Sequence, residues 1–237
     1  MKFGTLSGVP GNVSGKGDAR RELGDHTRQR LLQATRALLA ERGIGGVRLR
    51  DVSEAAEVNI AAVSYHFGSL TSLVNTAVRE AAEAAVGEQA RRLTDLEPDA
   101  TLEEIVAAWI RPTVHGMQED PEAGVLLRIA SQAITEAPED LRDWTQDILR
   151  RTHGQLLARL RPALPDLDDR ELAFRVFCVG GIVNRYHTAA TLPESAAASS
   201  PELERLLVAA ITGMLAGPAG IPVSPAGTKG AASAPGG

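Results

Sequence analysis

Cysteine and aromatic side chains are scarce in this sequence. Its 237 residues hold one cysteine, Cys178, beside two tryptophans, two tyrosines and four phenylalanines. A single thiol excludes an internal disulfide and a multi-cysteine metal site. Aromatics at 3% leave the core to small aliphatic helix formers, chiefly alanine and leucine. No run approaches the roughly 18 apolar residues that a membrane helix needs, and the first residues lack a charged-then-apolar signal pattern. The expectation is a cytoplasmic protein with no membrane partner. No convincing alternating strand pattern is present either. The five histidines, His26, His66, His115, His153 and His187, are scattered without metal-ligand spacing. Cys178 sits among apolar neighbours in a helical stretch, where an inert buried thiol is expected. These absences argue against an enzyme and against a metal or cofactor.

What is present is helical periodicity and an uneven charge. The net charge is −5, yet residues 1–70 carry ten Lys/Arg against seven Asp/Glu, a net of +3, while residues 71–237 carry fifteen against twenty-three, a net of −8. A mildly basic head on an acidic body is expected where only the head meets phosphate. Residues 1–24, with six glycines and the basic Lys16, Arg20 and Arg21, are expected to form a disordered arm, and residues 217–237 a disordered tail. Between them lie a head over 25–70 and a helical body over 71–216, making an all-α chain of about nine helices.

In the head, a helix is expected from Asp25 to Arg42, closed by Gly43, then short helices over Leu49–Ala56 and Ile60–Phe67 with Asn59 as N-cap. A longer helix follows Ser69. The middle pair has the lengths of a DNA-reading helix-turn-helix, although by periodicity alone the two could equally be bundle parts. Val52, Val58, Val63 and Phe67 can converge on Leu31 and Leu38. The opposite side then offers Asn59, Ile60, Ala61, Ala62, Ser64 and Tyr65, small enough to lie deep in a major groove, where apolar groups meet thymine methyls.

The run RGIGGVRLRDVSEAAEVNIAAVSYHFGSLTSLVNTAV strongly resembles the DNA-binding domain of the tetracycline-repressor (TetR) family, through Gly43, Arg50-Asp51-Val52, Val58, Tyr65-His66-Phe67, Ser69 and Leu73. The resemblance covers about residues 25–80. It implies a base-edge or phosphate role for Arg50, base reading by Asn59, Ala61, Ala62 and Ser64, and phosphate contacts from Tyr65 and His66. Four positions depart from the family pattern. Val47 stands where a hydroxyl is usual, with Arg48 beside it. Glu57 replaces a turn glycine at a cost on the order of 1 kcal/mol if it is left-handed. Ser53 replaces an alanine, and Leu70 replaces a phosphate-binding lysine, so binding is expected to lean on Arg28, Arg48, Arg50 and the arm.

In the body, Thr101 to Glu104 is a capping box, Pro112 falls inside a helical pattern where a kink is expected, and Pro121, Pro138 and Pro201 begin helices. Asp168 to Glu171 opens another. Helix-turn-helix readers pair to span two half-sites, so a homodimer is expected through the last two helices, with Gly180-Gly181 flanked by Phe174, Phe177, Val183 and Leu207. A pocket is expected around Trp109, Arg111, His115, Met117, Arg128, Gln132, Trp144, Asn184 and His187, suiting a small, largely apolar effector whose carboxylate could pair with Arg111 or Arg128. The expected function is a ligand-responsive repressor released from double-stranded operator DNA. The alternatives are an architectural helical DNA-binding protein without a specific operator, or an enzyme.

Overall fold

The computed structural model describes residues 14–118, 121–136, 138–188 and 199–218, with side chains described from residue 21 onward except at 116–118, 187–188 and 200. Among these residues it is all-helical, with nine α-helices: α1 (Ser14–Arg42), α2 (Leu49–Ala55), α3 (Ala61–Phe67), α4 (Leu70–Thr94), α5 (Leu102–Gln118), α6 (Pro121–Glu136), α7 (Glu139–Leu160), α8 (Asp169–Thr188) and α9 (Ser200–Ala216). No helix among them is long and apolar enough to cross a membrane.

Local chemistry accounts for most helix ends. Ser69 accepts a hydrogen bond from the Ser72 N–H to start α4, and Asp168 accepts one from the Glu171 N–H to start α8. The Thr101–Glu104 box closes in both directions, with the Thr101 N–H donating to Glu104 Oε2 and the Glu104 N–H to Thr101 Oγ1. Those bonds from Thr101 hold the Glu104 carboxyl below its ordinary range. The helix continues through Pro112. At the far end of α9, the buried Arg175 of α8 donates to the carbonyls of Leu215, Gly217 and Pro218, supplying the cation that a helix C-terminus favours.

One expectation is corrected at the N-terminus. The first helix begins at Ser14, not Asp25, so residues 14–24 are helix rather than disordered arm; residues 1–13 and most of the tail, 219–237, lie outside the described residues. Helical continuation past Gly15, Gly17 and Gly24 runs against glycine's intrinsic preference.

Two apolar cores organise the chain. One gathers Leu31, Leu38, Leu39, Val52, Val63, Leu73 and Val78 beneath the head, and it also takes Ile129 and Ala133 of α6 and Leu141 of α7. The other joins Ile105, Trp109 and Ile110 of α5 to Leu172, Val176 and Val179 of α8 and Val208, Ile211 and Leu215 of α9. The head core therefore does not stop at residue 70: α6 of the body completes it.

Candidate nucleic-acid interface and effector cavity

The turn between α2 and α3 is a Schellman motif in which a glutamate occupies the glycine position. Glu57 has φ 49°, its N–H donates to the Glu54 carbonyl, and the Val58 N–H donates to the Ser53 carbonyl. Arg30 of α1 donates to both the Glu57 carbonyl at 3.2 Å and its carboxylate at 3.1 Å. Glu57 is thus held in the left-handed region that the sequence reading treated as a cost, with a guanidinium from another helix fastened to it. Ser53 is buried and satisfied by donating to the Leu49 carbonyl. Val47 is a core residue at 5% exposure, so the position that lacks a capping hydroxyl serves packing instead. Arg48 takes the N-cap position of α2 without a side-chain cap, and its guanidinium donates to the Gly45 carbonyl.

On α3 the outward face carries Asn59, Ile60, Ala61, Ser64 and the 85% exposed Tyr65. Asn59 uses its amide oxygen to accept from the Ala61 N–H at 2.9 Å, which leaves its Nδ2 for an outside acceptor. Ala62 is half-buried against the head core, so it turns partly away from the reading face. His66 is half-buried and meets Tyr65 edge-on, ring centroids 4.9 Å apart. Arg50 is exposed on α2. Arg28 is engaged inside the protein, stacked over Phe67 at 5.2 Å and 3.7 Å from Glu80, which also pairs with Arg36. Leu70 packs partly against the head core.

In the body, a cavity of about 300 Å³ lies among α4, α5, α6, α7 and α8. Its walls include Ala85, Val86 and Gln89 of α4, Trp109 of α5, Leu127, Ser131 and Ile134 of α6, and Phe177, Gly180, Gly181 and Asn184 of α8. The largest share comes from one face of α7, through Trp144, Thr145, Ile148, Leu149, Thr152 and His153. The hydroxyls of Thr145 and Thr152 donate to the Leu141 and Ile148 carbonyls. Burial pushes the His153 imidazole below its ordinary value, which favours its neutral form beside the cavity. No Lys, Arg, Asp or Glu is among the described lining residues. Three side-chain ties join α7 to α4: Asp140 accepts from Asn75, Trp144 lies under the Arg79 guanidinium at 5.1 Å, and Arg151 pairs with Glu83 at 3.0 Å.

Residues 31–77 match the family model for bacterial regulatory proteins of the tetR family, and residues 107–217 match the tetracyclin repressor-like C-terminal domain. The chain belongs to the TetR family. TetR-family proteins are DNA-binding transcription regulators rather than enzymes, and they dimerise and bind small-molecule effectors. Solved structures share the fold. A transcriptional regulator from Rhodococcus sp. Rha1 is 19% identical with a TM-score of 0.57, over 79% of this chain and 95% of that one. PfmR from Thermus thermophilus is 19% identical with a TM-score of 0.56, over 78% and 97%. The multidrug binding protein EbrR complexed with malachite green is 20% identical with a TM-score of 0.53, over 79% and 96%. A search of curated protein sequences found no match.

The structure redistributes the residues expected in the TetR-type body. Trp109, Trp144 and Asn184 do line the cavity. Arg111 and His115 do not: both reach α9, where Glu204 accepts from Arg111 at 3.0 Å and lies 2.7 Å from His115. Burial acts to raise the Glu204 carboxyl, but those two partners outweigh it and hold it low. Arg128 and Gln132 are half-buried on α6 but off the lining, and His187 and Met117 lie outside the described side chains. Sequence reading missed Gln89, Ser131, Thr152 and His153. The spacing of residues 145, 148, 149, 152 and 153 on one helical face was the available signal, obscured because apolar and polar groups alternate on it.

Of the residues expected on a pairing face, the structure exposes some and buries others. Phe174 and Phe177 are 65% and 68% exposed, and Gly181 is open, as an interface requires. Val183 is instead buried in the body core, Leu207 packs partly against it, and a Cβ at Gly180 would come 3.0 Å from His153. Residues 182 and 206 complete the exposed stripe, as Ile182 at 39% and Leu206 at 54%.

Proposed function

We propose that this chain is a repressor that binds a twofold operator through Arg48, Arg50, Asn59, Ile60, Ala61, Ser64, Tyr65 and His66, pairs with itself through α8 and α9, and leaves DNA when a small, uncharged, largely apolar effector fills the body cavity. The observation that carries this reading is the cavity, whose described lining has aromatic and aliphatic walls, a few neutral polar groups and no ionisable partner except His153. The expected carboxylate-bearing effector is set aside, because Arg111 is committed to Glu204 and Arg128 lies off the walls. EbrR, a multidrug binding protein of similar fold, is complexed with malachite green, which supports a body of this shape holding a small molecule. The effector must bind the DNA-incompetent arrangement more tightly to shift the balance. The α4–α7 ties offer a route, since α7 walls the cavity and α4, capped by Ser69, begins just after the reading helix.

The test is a gel shift on the DNA upstream of the protein's own gene, followed by competition with unrelated duplex and by a panel of uncharged apolar compounds. A specific complex that at least one neutral compound releases is the expected result. Binding that unrelated duplex removes equally well would replace the operator with the architectural reading.

A further inference from the structure

His153 of α7 and Gly180 of α8 meet on the cavity wall, and both line it. A Cβ built at Gly180 would come 3.0 Å from His153 Nε2 and 3.4 Å from its Cε1, so the missing side chain leaves room for the imidazole edge. His153 is half-buried, yet neither of its ring nitrogens has a hydrogen-bond partner among the described residues. A neutral imidazole carries one N–H and one bare nitrogen that can only accept. Burial favours that neutral form here.

Several other polar groups of the wall are already committed. The Thr145 and Thr152 hydroxyls give their hydrogens to the Leu141 and Ile148 carbonyls, so each oxygen is left only to accept. Gln89 donates from its amide nitrogen to the Trp109 carbonyl at 3.4 Å. The indole N–H of Trp109 is buried with no acceptor.

We propose that His153 is a specificity-determining residue of the effector cavity, one of its ring nitrogens accepting a hydrogen bond from a hydroxyl on an otherwise apolar effector. The inference rests on the effector reading given above and deepens it by naming the ligand's polar group. A ligand ammonium or carboxylate would be buried without a counter-ion, because no Lys, Arg, Asp or Glu is among the described lining residues. A ketone or an ether only accepts, and would leave the bare imidazole nitrogen without a donor. A hydroxyl is the simplest neutral group that donates and also accepts, so it suits a wall that holds both a bare nitrogen and an orphan N–H.

The test uses the full chain and two neutral two-ring probes, 2-naphthol and 2-methoxynaphthalene. Methylation removes the hydroxyl hydrogen and keeps the oxygen as an acceptor. Affinities are measured by calorimetry for the wild type and for His153→Phe, which removes both nitrogens and keeps a flat ring, with folding followed by circular dichroism. Measuring both probes on both proteins cancels their differences in size and desolvation. In the variant, 2-naphthol is expected to bind roughly tenfold more weakly, the worth of one hydrogen bond, while 2-methoxynaphthalene changes less than about threefold. If the ratio of the two affinities is the same in both proteins, the inference is overturned and the cavity reading stands. If neither probe binds the wild type, the cavity reading fails and the inference with it. Should the variant not fold, nitrogen NMR of the wild type decides: the bare His153 nitrogen must shift when 2-naphthol binds and not with 2-methoxynaphthalene. An equal response to the two probes overturns the inference.

Discussion

The head and the body solve opposite problems with the same helical material. The head must present a narrow, small-residue face at a fixed angle, and it does so with backbone devices confined to a few neighbouring residues: the Asn59 cap, the Glu57 turn and the Ser69 cap. The body must enclose a space, and it does so with side chains drawn from five helices far apart in sequence. The two are joined where α6 enters the head core and where α7 is tied to α4. The lesson is that α6 belongs energetically to the reader even though it touches none of the proposed DNA face.

The largest expected effect tests that join. Ile129 is fully buried in the head core although it comes from α6, so Ile129→Ala should cost about 2–5 kcal/mol of stability. Denaturant unfolding measures it, and a cost below about 1 kcal/mol would separate the body from the head after all. Next in size is Arg50→Ala, which bears on the head alone. Loss of a base-edge contact should weaken the specific complex by about 1–3 kcal/mol with sequence preference relaxed. Loss of a phosphate contact should instead lower the salt slope by roughly 0.9 on every sequence. An unchanged affinity and slope would remove Arg50 from the interface.

Glu57→Gly should produce a smaller change of the opposite sign. Relief of the left-handed backbone is worth about 1–2 kcal/mol, offset by the freer unfolded chain at about 0.4–1 kcal/mol and by loss of the exposed Arg30 carboxylate pair at about 0–1 kcal/mol. The terms nearly cancel, and their central values leave a gain of a few tenths of a kcal/mol. Thermal unfolding that shows a loss would mean that Arg30 more than compensates for the strain. The smallest effect expected is at Leu70→Lys, where the side chain lies half-buried at the first turn of α4. A lysine there can keep its stem on the core and its ammonium outward, so binding should tighten and the salt slope steepen by roughly 0.9. A titration across salt concentrations with an unchanged slope would place this turn away from the DNA backbone.

Much of the head, like the helix starts of the body, was legible in the sequence because its determinants are local. Asn59, Ser69, Thr101 and Asp168 all cap as their spacing suggests, and Val52 and Val63 face inward as the helical period requires. The extension of α1 back to Ser14 escaped that reasoning, since glycines spaced along residues 15–24 argue for the opposite state. In the body, Arg111 and His115 read as pocket residues because they fall near an apolar face of α5, yet the partner that claims them, Glu204, lies about ninety residues away on α9. Val183 read as interface for the same reason, and the packing of α8 on α5 and α9 buried it.

By itself, then, the sequence determined an all-α chain with a capped helix-turn-helix, a small uncharged face on its second helix and a glutamate at a turn position where strain depends on the backbone, because each of these rests on hydrogen bonds and sterics within about one helical turn. Only the tertiary structure decided which face of each body helix looks into the cavity, that its described walls hold no Lys, Arg, Asp or Glu, and that the exposed Phe177 is one of those walls. Those outcomes depend on how helices distant in the chain rotate and pack against one another, a choice that periodicity within a single helix leaves open.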